Sequence, residues 1–94
     1  MPRFLVDLER LGPEQRRLFK RAVRKFVGDL KAHRPPHRSL GIKGLHGYEG
    51  VFEFRFAGDG RALFMYGTSP HSGDVHILWL RVGTHTIYTN PQAD

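Results

Sequence analysis

Apolar residues recur every three or four positions in the first third of the chain, which predicts two consecutive helices. The first spans residues 3–11, and its apolar positions are Phe4, Leu5, Leu8 and Leu11. Gly12 interrupts the pattern, and Pro13 begins a second helix because proline is favoured at the first helical position. The second helix runs to about Ala32. Its apolar stripe consists of Leu18, Phe19, Ala22, Val23, Phe26, Val27 and Leu30.

The opposite face of the second helix is basic. It carries Arg16, Arg17, Lys20, Arg21, Arg24 and Lys31. Such a face contacts RNA phosphates, or it is simply solvated or meets an acidic partner protein. The HRPPH segment then ends the helix at its prolines. His33 and His37 in this segment form only a weak candidate metal pair, because no third ligand is near them in sequence.

Alternation in GVFEFRF, residues 50–56, predicts a strand with two different faces. One face consists of Phe52, Phe54 and Phe56. The other consists of Val51, Glu53 and Arg55. We expect the phenylalanine face to pack against the helices, and we expect the other face to be exposed and charged.

Two more strands are predicted after this one. The AGDG turn is a hairpin signal that leads into a strand over residues 61–67. If Ala62, Phe64 and Tyr66 continue the phenylalanine face, Arg61 falls on the face of Arg55. Residues 75–82 are apolar on both faces, so this last strand is expected to be central in the sheet or covered at one end.

The order of these elements predicts an α+β fold, with an N-terminal helical hairpin packed on a small antiparallel β-sheet of three strands. The chain has 94 residues, and neither part is large enough to bury a core alone. We therefore expect a single domain over residues 1–94.

The chain is strongly basic, with a formal net charge of +6 and a pI of about 10.3. This charge favours nucleic acid as a partner, and an acidic protein is the alternative. The absence of cysteine excludes disulfides, thiolate zinc sites and a cysteine nucleophile. We expect a soluble cytoplasmic protein, because the sequence shows neither a signal peptide nor an apolar run of bilayer length.

Polar residues near the strand ends suggest how a nucleic acid is handled. They are Arg55, Arg61, Arg81, His85 and Tyr88. Guanidinium groups bind phosphate with two parallel hydrogen bonds, histidine exchanges protons near neutral pH, and tyrosine stacks on bases.

With these features in this order, the chain resembles the RelE/ParE superfamily of bacterial toxins, in particular its RelE-like ribonuclease branch. The resemblance covers roughly residues 3–90. Its segments are the helical hairpin, IKGLHGYEGVFEFRF, the strand from Arg61 to Tyr66, and LRVGTHTIY. It implies the toxin of a type II toxin–antitoxin module, an endoribonuclease that cleaves mRNA on the ribosome without metal or cofactor. The implied partners are mRNA, the ribosome and an acidic antitoxin protein, with no membrane.

Two departures from the family pattern matter. The usual first β-strand is missing, which leaves a sheet edge for self-association or for a partner strand. Glu53 stands where RelE has lysine, so proton transfer falls to a carboxylate and a histidine, as in some relatives. A non-catalytic member of the fold, acting as a gyrase-type poison or as a protein- or RNA-binding module, is the alternative. A structural subunit that holds an acidic partner is a third.

Metal-free cleavage needs a base for the 2′-OH, cations for the phosphorane and an acid for the leaving oxygen. We assign the cations to Arg61, with a surface hairpin arginine as the alternative, and to Arg55. His85 is the acid or base, unless it is an ordinary tail histidine. Glu53 is the base or orients His85. Tyr88 stacks on a base or covers the core.

Two further residues are assigned to RNA binding. Lys43, in the IKGL turn, is expected to reach a backbone phosphate. Arg81 ends an apolar strand, so it binds phosphate or pairs with Glu53.

Overall fold

The computed structural model describes residues 3–68, 75–84 and 86–87. The helices are α1 (Arg3–Arg10), α2 (Pro13–Lys31) and a short 3₁₀ helix (Arg38–Leu40). The strands are β1 (Lys43–Gly44), β2 (Phe52–Arg55), β3 (Arg61–Thr68) and β4 (Val75–Gly83). They form one antiparallel sheet in the order β1-β2-β3-β4. The predicted α+β class is confirmed at this level.

The sheet has one strand more than the sequence predicts. β1 is only two residues long and pairs Lys43 with Glu53 of β2. It lies in the glycine-rich segment after Gly41, which adopts a left-handed conformation with φ of 57°. A strand this short shows no alternation, so the pattern of apolar positions could not reveal it.

Aromatic rings fill the space between the helices and the sheet. Phe26 of α2, Phe54 of β2 and Phe64 of β3 are completely buried. The ring of Phe26 lies 5.6 Å from that of Phe54 and 5.4 Å from that of Phe64, between centroids. This confirms that the phenylalanine face packs against the helical hairpin. Tyr66 extends the ring cluster but remains exposed, at the margin of the sheet.

The opposite face of the sheet differs from the prediction, which made it exposed and charged. Val51, Leu63 and Ile87 are buried there and form a second apolar cluster. The residues packed against this cluster are Leu45, Tyr48, Met65 and Leu80. Leu45, Tyr48 and Val51 belong to the segment between β1 and β2, and Ile87 follows β4. The periodicity of a strand does not indicate which residues from elsewhere in the chain pack over it. The charged residues Lys43, Glu53, Arg55 and Arg61 lie on another part of this face.

β4 lies at the sheet edge, and α1 covers its C-terminal end. The Asp7 carboxylate accepts hydrogen bonds from the Val82 amide at 3.2 Å and from Nη2 of Arg81 at 3.1 Å. Both side chains of this ion pair are buried, at 5% exposure for Asp7 and 7% for Arg81. This pair covers the C-terminal part of the β4 edge, whereas Val75 and Leu78 in its N-terminal part are more than half exposed. The predicted use of a free edge by a partner stays a prediction.

Asp29 fixes the chain between α2 and the sheet. Its carboxylate accepts from Nη2 of Arg34 at 2.9 Å and from the His37 amide at 3.1 Å. The Arg34 guanidinium and the His37 amide lower the pKa of this carboxyl below its usual value. Nδ1 of His37 in turn accepts a hydrogen bond from the Ser39 amide, at 3.1 Å. These bonds set the direction in which the chain enters Leu40, which is buried in the core.

The hairpin between β2 and β3 gives a first prediction. A Cβ at Gly60 would lie 2.5 to 2.8 Å from ring atoms of Phe56, whereas a Cβ at Gly58 meets no atom within 4 Å. We expect Gly60→Ala to lower the free energy of unfolding by about 1–3 kcal/mol, because the buried ring must move. Gly58→Ala is the matched control and should change it by less than about 0.5 kcal/mol. Urea unfolding measures both, and equal midpoints for the two variants would contradict this packing.

Candidate functional site

One groove on the charged part of the second sheet face gathers four of the predicted site residues. Lys43, Glu53, Arg55 and Arg61 line a cavity of about 490 Å³, which we call the charged groove. Strand register explains the grouping, because Lys43 pairs with Glu53, and Arg55 pairs with Arg61. Directly paired residues point to the same face of an antiparallel sheet. The structure thus brings together four residues that the sequence analysis selected, and their functional roles stay predictions.

Glu53 and Lys43 form the β1 side of the groove. The Lys43 ammonium lies 3.9 Å from Oε2 of Glu53. The lysine side chain is 74% exposed and the glutamate side chain only 17%. A pair with one partner so exposed is weak, so the ammonium can also reach an anion from solution. Glu53 is the carboxylate that lines this groove among the described residues.

Arg55 is an exposed cation of the groove. It is exposed, and no carboxylate in the described ranges forms an ion pair with it. Gly41 lies directly against it, since a Cβ there would be 3.3 Å from Cβ of Arg55. The left-handed turn at Gly41 therefore forms a wall for the Arg55 side chain. Its guanidinium fork is available for a phosphate.

Arg61 also stabilises the turn between β2 and β3, which the sequence analysis did not predict. Its Nη1 donates to the carbonyl oxygens of Ala57, Gly58 and Gly60, at 3.2, 3.1 and 3.0 Å. These bonds hold the β2–β3 turn and fix the direction of the guanidinium. Nε and Nη2 make no hydrogen bond to the described residues, so they remain as donors toward the groove.

Arg81 does not belong to the charged groove, which corrects its assignment to RNA binding. It is buried beside α1, and its Nε and Nη2 donate to the Asp7 carboxylate. The sequence analysis considered only phosphate or Glu53 as its partner. Asp7 is 74 positions away in sequence, so no local pattern indicated the pair. A phosphate contact would require Arg81 to leave a buried ion pair.

His85 and Tyr88 lie outside the described residues, and their predicted roles stay predictions. Gly83 pairs with Arg61 across β4 and β3, and the Ile87 amide donates to the Thr84 carbonyl at 3.1 Å.

A second cavity, of about 410 Å³, lies between α2 and the end of β2. We call it the helix-side pocket. Arg21 and Lys25 of α2 line it, and Arg55 lines both cavities. The sequence analysis placed Arg21 on the basic helix face but assigned no site there. The i,i+4 spacing of Arg21 and Lys25 beside the apolar stripe was the available signal.

The charged groove combines three cationic side chains with one carboxylate. The cations suit a phosphodiester, and the carboxylate suits proton transfer. None of the helices in the described part of the chain is long and apolar enough to cross a membrane. Comparisons with protein-family models, with curated proteins and with solved structures found no match.

Proposed function

We propose that this protein is a RelE-like toxin of a type II toxin–antitoxin module, a cytoplasmic endoribonuclease that cleaves mRNA on the ribosome. The observation that carries the proposal is the charged groove. It holds Arg55 beside Arg61 in register, with Glu53 and Lys43 on the next strand pair. The net charge of +6 adds the long-range attraction that RNA binding needs.

In the proposed reaction the 2′-oxygen of the substrate attacks the adjacent phosphorus while the bond from phosphorus to the 5′-oxygen breaks. Glu53 takes the proton of the 2′-OH, and His85 gives a proton to the departing 5′-oxygen. Arg55 and Arg61 stabilise the added negative charge of the phosphorane, with Lys43 on a neighbouring phosphate. The products are a 2′,3′-cyclic phosphate and a 5′-hydroxyl end.

The resemblance also supplies the proposed partners, which are mRNA, the ribosome and an acidic antitoxin protein. The basic face of α2 supports this choice. Lys20, Arg21, Arg24 and Lys25 are exposed there and form no ion pair with a described carboxylate. A surface of this kind attracts RNA and acidic protein segments alike.

A second candidate function is a binding module of the same fold that does not cleave RNA. The bonding of Arg61 favours it, because three turn carbonyls already occupy Nη1 of this arginine. Such a protein would retain RNA or inhibit gyrase by contact alone.

RNA cleavage on programmed ribosomes separates the two candidates. We expect the purified protein to cut mRNA there and to leave 2′,3′-cyclic phosphate ends, because the proposed chemistry uses only the 2′-OH and protein side chains. RNA that stays intact in a salt-sensitive complex would favour the binding module. An absence of both cleavage and binding would contradict both candidates.

A further inference from the structure

The helix-side pocket has an apolar wall and a basic rim. Its apolar lining comes from Leu18 and Ala22 of α2, from Leu40, and from Phe56, which directly follows β2. Its volume of about 410 Å³ falls within the range of about 300–1,000 Å³ that is typical of small-ligand sites. The pocket can therefore accept a planar group the size of a nucleobase.

The charged residues that line this pocket are all cations. Arg21, Lys25 and Arg55 line it, and none of its lining residues is acidic. None of the three forms an ion pair with a carboxylate of the described residues. Three like charges around one cavity repel one another, so an anion that enters it is bound favourably.

Arg55 connects the pocket with the charged groove, because it lines both cavities. A ligand that extends from one cavity to the other therefore passes over its guanidinium. Successive units of this ligand must each carry negative charge, and one unit must have an apolar planar part. A single-stranded polynucleotide has this repeating composition, since stacked bases alternate with phosphates along its chain.

We infer that the helix-side pocket binds a nucleotide of the RNA that flanks the cleaved phosphate, with its base against Leu18, Ala22 and Phe56 and its phosphate on Arg21 and Lys25. This inference rests on the proposed function, because the charged groove must hold the neighbouring phosphodiester. It makes α2 part of the RNA interface rather than a solvated helix face.

A matched pair of double variants tests the inference. Arg21→Gln/Lys25→Gln removes the two pocket cations of α2. Lys20→Gln/Arg24→Gln removes the same charge at the same i,i+4 spacing from exposed positions that do not line the pocket. The probe is a fluorescent 2′-O-methyl oligoribonucleotide, which has no 2′-OH nucleophile and stays intact. Binding is followed by fluorescence anisotropy at several salt concentrations.

We expect the pocket variant to bind about tenfold more weakly and to lose roughly 0.7 from the slope of log affinity against log salt, since the contact with one phosphate is lost. The control variant should bind within about threefold of the wild type with a smaller slope change. Ala22→Phe, which fills the pocket without changing charge, should also weaken binding about tenfold. Equal losses in both double variants, or unaltered binding by Ala22→Phe, would overturn the inference.

Two results separate the failure of this inference from the failure of the proposed function. Wild-type protein that cuts mRNA normally, combined with equal binding by the two double variants, overturns the pocket alone. Wild-type protein that neither binds nor cuts RNA overturns both. A glutamate-rich peptide with apolar residues serves as the competing probe. If only its binding distinguishes the two double variants, the pocket is a protein-docking site and the inference is wrong.

Discussion

Arg55→Ala is expected to lower the rate of RNA cleavage by about 100- to 1,000-fold, which is the usual cost of removing one donor that stabilises transition-state charge. Arg55 suits this test because it is exposed and makes no ion pair with a described carboxylate. Its loss should change the free energy of unfolding by less than about 0.5 kcal/mol. Single-turnover cleavage of ribosome-bound mRNA measures the rate, and urea unfolding measures the stability.

Arg10→Ala is the control for this result. Arg10 is an exposed arginine at the end of α1, and it lines neither cavity. It should cut RNA at nearly the wild-type rate. An equal decrease for Arg10→Ala and Arg55→Ala would show that general positive charge, and not the charged groove, controls the reaction.

Asp7→Asn is expected to destabilise the protein by about 3–5 kcal/mol, because it removes the negative charge of the Asp7 carboxylate, which accepts hydrogen bonds from the buried Arg81 guanidinium. A domain of this size has a total stability of roughly 5–14 kcal/mol, so this change removes a large share of it. The midpoint of thermal unfolding should fall by more than about 10 °C. Circular dichroism during heating measures the change.

Two comparison variants make the Asp7 result specific. Glu9→Gln removes the same charge from an exposed position of α1 and should leave the midpoint nearly unchanged. Asp7→Asn/Arg81→Met removes both charges and keeps an acceptor for the Val82 amide. This double variant should be more stable than Asp7→Asn alone. If Asp7→Asn and the wild type have the same midpoint of thermal unfolding, the ion pair of Asp7 and Arg81 does not hold α1 against β4.

The sequence predicted those parts of the fold in which one period persists over several residues. The apolar stripe of α2 and the phenylalanine face of β2 are such parts, and both pack as expected. β1 was missed because two residues carry no period. The cover over Leu63 was also missed, because it comes from Ile87 and from the segment before β2, which approach only in the folded chain.

Strand alternation predicted which of the candidate site residues share one face of the sheet. Glu53, Arg55 and Arg61 share a face because of their parity and their hairpin register. Arg81 has the right parity but faces a buried carboxylate from a distant helix, and sequence spacing does not report such long-range partners. The hydrogen bonds from Arg61 to the turn carbonyls could not be predicted either, because every residue has a backbone carbonyl and the sequence does not show which ones accept.

The central claim is that the charged groove cuts RNA by attack of the 2′-OH without metal. Mapping RNA ends and their chemistry, after cleavage of ribosome-bound mRNA by wild type and by Arg55→Ala, tests it most directly. The account predicts new 5′-hydroxyl ends opposite 2′,3′-cyclic phosphates with the wild type and almost none with Arg55→Ala. New ends that carry a 5′-phosphate, or equal cleavage by both proteins, would contradict it.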